Sequence, residues 1–452
     1  MLFFELLQVA IGNRRKLSQT PSAEEWRELY AMAQMQTLVG IAFRGIEQLP
    51  QEQRPPKPLL MQWYMAAERI KAMNADLDRK ALAVANKFLS EGFPSMVLKG
   101  QGISKLYELR DNDNDNSQPS TLNPQLSSNR TPGDIDIWLQ GSREEILGYV
   151  RQHVPDCKPV YHHVDFPVVD GLDIEVHFTP SWMNSPVTNR RLQRFFRESA
   201  GALFMKNDNI NADDNYLPDG NSKHYTLHTK QVNSHADCAD LHRIRTRYAS
   251  AGLSDEGLLK AASSTPLREI NLPSVATDAH TPRRRHRFRY SELPVPNLAF
   301  NRVYILVHIY RHLFHEGIGL RQLLDYYFVL AQGFTEEERI ETMRTLRSLR
   351  MQRFTAAVMW VLQQVYGMDS RYLLTTPDER EGRFLLNEIM LAGNFGHYDE
   401  RLQHERGESA LHWGLRKVKR NFRFVFSYPS EVLWSPLFKL WHWCWRSRHT
   451  HA

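Results

Sequence analysis

Residues 130–139, RTPGDIDIWL, set Asp134 and Asp136 two apart inside an apolar run of Ile135, Ile137, Trp138 and Leu139. In a strand, alternate side chains point to opposite faces. Ile135 and Ile137 then enter a core while both carboxylates stand together on the other face. At a strand rise of about 3.3 Å per residue their Cα atoms lie roughly 6.6 Å apart, so two short acidic side chains can converge on one or two divalent cations. LDIEVHF (172–178) repeats the pattern, with Leu172, Ile174, Val176 and Phe178 alternating with Asp173, Glu175 and His177. Side by side in one sheet, the two strands gather three or four carboxylates. Alternation alone marks any strand with one wet face. The second acidic strand, and Gly133 directly before the pair, turn the reading toward a metal site.

PSMVLKG (94–100) is a short apolar strand candidate that runs into glycine, and GISKLYEL (102–109) reads as a helix. Small residues at a helix entry leave backbone N–H groups free for phosphate. Lys99 and Gly100 stand at this entry, and Ser104 adds a hydroxyl in the first turn. Arg130, just before the acidic strand, is placed to neutralise charge on a leaving group. A plain helix entry is the competing account of the glycines. SREEILGYVRQHV (142–154) is an amphipathic helix, and VYHHVDFPVV and GLDIEVHF read as a hairpin around Asp170-Gly171.

Around this segment the chain divides into four parts. Residues 1–93 form a helical region, opened by a capping box at Ser22 and Glu25. Residues 94–200 form the core, with a polar, flexible insertion at 111–129 whose DND repeats lack the glycine and closing glutamate of a calcium loop. Residues 206–286 read as a second low-order insertion, and 293–452 as a C-terminal helical domain. The formal charge of +6 suits an anionic substrate and is too small for a nucleic-acid signature. Three scattered cysteines build neither a disulfide framework nor a zinc site. With no run of 18 apolar residues, the expectation is a cytoplasmic protein with no transmembrane segment.

In the C-terminal half, His308, His312 and His315 share a helical face with Arg311 nearby. Local hydrogen bonding is the favoured reading of these histidines, ahead of a place lining the nucleotide cleft and, last, a metal site. In the tail, Trp434, Phe438, Trp441 and Trp445 form an aromatic stripe beside Arg416, Lys417, Lys419, Arg420 and Arg423. A core-facing stripe with a solvated basic face is expected there, ahead of contact with nucleic acid or membrane.

The order strand, Lys99-Gly100, helix, loop, R-x-x-GDID, helix, strand and DIEVH resembles the nucleotidyltransferase fold of the polymerase-β superfamily. More narrowly, it resembles the bacterial uncharacterised nucleotidyltransferase family. FNRVYILVHIYRHLFHEGIGLRQLLDYY and SEVLWSPLFKLW are similar to that family's helical region and C-terminal end. The resemblance implies an α+β fold: a small mixed β-sheet nucleotidyltransferase core flanked by N-terminal and C-terminal helical regions. It implies Mg²⁺-dependent transfer of a nucleoside monophosphate from an NTP, with ATP the expected donor, to an unknown hydroxyl acceptor. Asp134 and Asp136 are the implied metal pair and Glu175 the third carboxylate, holding two Mg²⁺ ions, with Mn²⁺ the alternative. Asp173 shares Glu175's face and competes for that third place. Gly100 takes the glycine position of the superfamily's phosphate-binding motif, while Gln101 stands where Ser or Gly is common. Arg321, in GLRQLLD, either faces the triphosphate or pairs with Asp325 four residues on. Two rivals use the same residues. One is a non-catalytic nucleotide-binding or antitoxin-like regulatory module, which the intact carboxylates oppose. The other is a nucleic-acid-modifying or nucleic-acid-binding protein using the basic segments 283–289 and 416–423.

Overall fold

The computed structural model describes residues 1–107, 126–167, 172–209, 289–399, 401 and 410–449. It shows the expected α+β architecture: fourteen α-helices among the described residues around one four-stranded mixed sheet. The N-terminal helices are α1 (Leu2–Ala10), α2 (Ala23–Met35), α3 (Val39–Gln48) and α4 (Lys57–Ser90). The sheet segment follows as β1 (Ser95–Val97), α5 (Gln101–Ser104), β2 (Ile135–Leu139), α6 (Arg143–His153), β3 (His163–Asp165) and β4 (Ile174–His177). Then come α7 (Pro186–Asn209), α8 (Leu298–His315), α9 (Leu320–Ala331), α10 (Glu336–Ser348), α11 (Gln352–Tyr366), α12 (Glu379–Ala392), α13 (Ala410–Phe422) and α14 (Pro429–His449).

The strand order is β1-β2-β4-β3. β2 pairs with β4 in parallel, which puts Asp136 opposite Glu175 and Trp138 opposite His177. β1–β2 and β3–β4 are antiparallel. One face carries Ile135, Ile137, Leu139, Ile174 and Val176 and packs on the second half of α4 and on α6 in a small core. The other face carries the carboxylates and Trp138, which lies against Phe204 of α7 and Phe300 of α8. The acidic side chains are therefore held between the sheet and the C-terminal helices.

Those helices share one large core with α1, α2, α3 and the first half of α4. Gln36, fully buried after α2, ties the two ends of the chain together. Its amide donates to the Ile389 carbonyl at 3.1 Å and its oxygen accepts from the Leu320 N–H at 2.9 Å. Capping boxes at Ser22–Glu25, Ser142–Glu145 and Thr335–Glu338 satisfy the free N–H groups that open α2, α6 and α10. No helix among the described residues is long and apolar enough to cross a membrane.

Several expectations need correction. The end of the first insertion is ordered: Ser127–Asn129 form a 3₁₀ turn, and buried Asn129 donates to the Gly40 carbonyl at 3.1 Å. Gly40 is required there, since a Cβ would fall 2.2 Å from the Asn129 oxygen. Residues 111–125 lie outside the described residues. Of the second insertion, 206–209 complete α7, and 210–286 lie outside. The antiparallel β3–β4 pair is present, while its turn at 168–171 lies outside. The helix expected at 102–109 is a single turn, α5, followed by a 3₁₀ turn at Lys105–Tyr107. The tail stripe is split: Trp434 and Trp441 are exposed, while Phe438 and Trp445 are half-buried.

Glu431, at the start of α14, is buried and accepts from the Asn184 N–H at 2.7 Å and the Ser185 N–H at 3.5 Å. Burial pushes its carboxyl up from 4.5 to about 7, outweighing those hydrogen bonds. A pKa raised on folding means the native state holds a proton that the unfolded chain releases. That stabilisation is complete below pH 4.5 and is lost as pH rises toward 7. The expected loss across this window is about 3 kcal/mol. Urea unfolding of the wild type and Glu431→Gln checks it: the pH dependence between 5 and about 7 should flatten in the variant.

Candidate metal and nucleotide site

The sheet brings the acidic residues to one place. Asp136 is buried, with 2% exposure, and Asp134 stands nearer the surface at 35% side-chain exposure. Lys99, two residues beyond β1, reaches between them. Its Nζ lies 2.8 Å from Asp136 Oδ2, without hydrogen-bond geometry, and 3.2 Å from Asp134 Oδ2. Glu175 joins from the parallel neighbour strand, and His177, two residues on, bridges the strands. His177 Nε2 is 2.8 Å from Asp136 Oδ1 and 3.3 Å from Glu175 Oε2. His163 of β3 places Nδ1 3.3 Å from the same Glu175 oxygen. Asp173 is exposed and stands outside these contacts.

Asp136, Glu175 and His177 offer ligand atoms within 4.8 Å of one another. The donor chemistry fits a divalent ion. Carboxylate oxygens suit Mg²⁺ and Mn²⁺, and an imidazole nitrogen leans toward Mn²⁺. Asp136 Oδ2 is a buried oxygen whose close partner among the described residues is the Lys99 ammonium, a cation that a metal ion could replace. His177 Nε2 donates to the Asp136 and Glu175 carboxylates here, and its Nδ1 lies 3.4 Å from the Thr179 carbonyl, so a metal that displaced the Nε2 proton would leave the other nitrogen with an acceptor. Burial raises the Glu175 carboxyl, but the hydrogen bond from His177, the charge that His163 carries at acid pH, and Lys99 outweigh it and hold the group well below the usual carboxylate range. Burial is also the main force that drives His163 down to about 3 and His162 well below its ordinary value. Both imidazoles are therefore neutral near pH 7.

The neighbouring phosphate candidates fall into two groups. Lys99 and Gly100 line a narrow cleft with Arg130, Asp134, His308 and Arg321. Gly100 has φ +54°, a conformation that L side chains rarely adopt, and this explains the glycine. Arg130, expected to meet a leaving group, is instead engaged within the protein. Its Nε and Nη2 donate to the two oxygens of Asp325 at 2.7 and 2.8 Å, and Tyr107 Oη donates to the same carboxylate at 2.7 Å. Arg321 Nη1 donates to the carbonyls of Thr131 and Pro132 at 2.9 and 3.1 Å, bracing the turn that feeds β2. Ser104 is buried and donates to the Gln101 carbonyl at 3.0 Å, turned away from phosphate. With α5 only four residues long, little dipole gathers at its start. Gln101 points into α4, donating to Asp78 at 2.7 Å and Asn74 at 3.3 Å.

Four residues were not read from the sequence. Asn74 clamps the approach to β2 by donating to the Ser128 and Arg130 carbonyls, both at 2.7 Å. His162 and His163 were visible only as a dipeptide in a strand, and their pairing with β4 gives them their place. Glu316, which lies 3.0 Å from His312 Nδ1, is the carboxylate partner of that histidine on α8. Arg311 lies 2.8 Å from His162 Nε2 and covers the Trp182 ring at 4.1 Å.

A family model described as an uncharacterised nucleotidyltransferase matches residues 22–110 and 265–367. Over these two stretches the chain is similar to the uncharacterised nucleotidyltransferase family. The first matched stretch holds Lys99 and Gly100, and the second holds α8 with its histidines, Arg321 and Asp325. β2 and β4 lie between the two stretches, so the place of their carboxylates in the family site rests on the geometry above. No curated protein and no solved structure matches the chain.

Proposed function

We propose that the protein is a divalent-metal-dependent nucleotidyltransferase that moves a nucleoside monophosphate from an NTP, ATP being the expected donor, to a hydroxyl acceptor. The family match supports a general role in nucleotidyl transfer. The observation that carries the finer reading is the in-register pairing of Asp136 with Glu175, with Asp134 and Lys99 at the same edge. Asp134, Asp136 and Glu175 would hold Mg²⁺, with Mn²⁺ the alternative, and His177 would complete the set. When bound, such ions lower the pKa of the attacking hydroxyl and neutralise the leaving pyrophosphate. Glu175, held ionised and weakly basic by its neighbours, suits ligation better than proton abstraction.

Lys99 has a double part in this reading. Its ammonium neutralises the carboxylate pair and lies beside the cleft, where it meets a triphosphate as a point charge. The cleft is about 30 Å³, little more than the space of one water, so donor binding requires it to open. A larger cleft of about 590 Å³ lies between α7, α8 and α10 and holds none of these residues, so it is set aside as the donor site. Lys99→Met should bind Mn²⁺ about tenfold more tightly, because a competing cation is gone, while binding ATP more weakly. Calorimetry with each ligand separately reads both effects.

Catalysis is tested by incubating the protein with labelled NTPs, Mg²⁺ and cell extract. Equal label transfer by the wild type and by Asp134→Ala and Asp136→Ala would sink the proposal. The close Lys99 ion pairs favour one rival, a regulatory module that keeps the fold without the chemistry. Such a module binds ATP with no dependence on Mg²⁺ and labels nothing.

A further inference from the structure

The last two helices present an apolar surface that the nucleotidyl-transfer reading does not use. On α14 the large exposed residues between 433 and 443 are Leu433, Trp434, Leu437, Leu440, Trp441 and Trp443, with Trp443 69% exposed. No charged side chain is exposed in that interval. The opposite side of the helix is anchored. Phe438 packs on Trp182 and Tyr161, and Val432 joins the large core. α13 contacts α14 and adds Leu415, Val418 and Phe422 at a spacing of three and four, all exposed. Phe426, just beyond α13, is 87% exposed.

Charge singles out what this surface meets. Residues 410–449 hold eight Lys and Arg against one acidic residue, Glu431, which is buried; two of the eight, Arg420 and Arg423, pair within the fold with Asp399 and Glu388. They also hold five of the chain's ten tryptophans. Lys419 is exposed, and Arg416, Lys417, Lys439 and Arg446 are half-buried. Leucine and tryptophan on one face with lysine and arginine at its margins match the chemistry of a helix lying in a lipid headgroup layer. A second copy of the chain would bring two such basic segments together and repel. A nucleic acid needs charge on the contact face itself, where α14 exposes none.

We propose that α13 and α14 form a peripheral docking surface for anionic lipid, with the exposed leucines and tryptophans entering the headgroup region and the flanking basic residues pairing with lipid phosphates. The reading does not rest on nucleotidyl transfer. The test is flotation of the full-length protein with phosphatidylcholine vesicles, with and without phosphatidylglycerol. The wild type should float only with the phosphatidylglycerol vesicles, with a blue shift of its tryptophan emission. Leu437→Glu with Leu440→Glu, both on the exposed face, should weaken binding by about tenfold or more, and Lys419→Ala by about fivefold. Circular dichroism melting should match the wild type in both cases. Failure of the wild type to float with either vesicle overturns the proposal, as does flotation of the double variant equal to the wild type. A dimer that the double variant dissolves, with no vesicle binding, assigns the face to a second copy. Salt-sensitive RNA binding without vesicle binding assigns it to nucleic acid. Either result also overturns the proposal.

Discussion

Asp136→Asn should abolish nucleotidyl transfer while leaving the protein folded. Asp136 is the residue on which the site converges, because Lys99 meets one oxygen and His177 the other, with Glu175 opposite in the parallel register. Asparagine keeps the shape and an acceptor for His177 but removes the charge. Lys99 keeps Asp134 at 3.2 Å and His177 keeps Glu175 at 3.3 Å, so no buried charge is stranded. Catalysis should nonetheless fall by about three orders of magnitude, the scale of losing several kcal/mol of charge stabilisation in the transition state. Label transfer from NTP measures the loss, and thermal melting confirms that the fold survives.

The second large effect is on stability. Asp325→Ala should cost about 3–5 kcal/mol, because it leaves the buried Arg130 guanidinium without its bidentate partner and strips the Tyr107 hydroxyl of its acceptor. Arg130 leads directly into the turn before β2, and Asn74 holds its carbonyl. The damage should therefore reach the acidic strand as well as the global fold. Adding Arg130→Met should recover part of the loss, since no uncompensated charge then remains. Denaturant unfolding of the single and double variants measures this. A double variant no more stable than Asp325→Ala would show that the ion pair is not what the buried carboxylate supports.

The alternation in DIDIWL and LDIEVHF was enough to assign faces, because a period of two leaves little choice once one face is apolar. Ile135, Ile137, Ile174 and Val176 enter the small core, and Asp136, Glu175 and His177 share the other face. The strand neighbours were not legible. The parallel β2–β4 register and the insertion of β4 between β2 and β3 depend on long-range pairing that no local pattern encodes. The same limit explains Arg130 and Arg321. Each stands next to the site in sequence or in space, and a basic residue there reads as a phosphate ligand until its partners are known. Asp325, 195 residues from Arg130, decides the first, and the carbonyls of Thr131 and Pro132 engage the second. Ser104 failed for a local reason: a one-turn helix folds its hydroxyl back onto the Gln101 carbonyl. The tail stripe misled because aromatic periodicity shows that a helix has an apolar face and says nothing about whether the fold covers it.

The central claim is that β2 and β4 together build a cation site. Titration of the apo protein with Mn²⁺, followed by electron paramagnetic resonance, tests it most directly. Saturable binding to the wild type is expected, with a loss of at least about tenfold in affinity for Asp136→Asn and for Glu175→Gln. Wild-type affinity in both variants, or no saturable binding in the wild type, would contradict it.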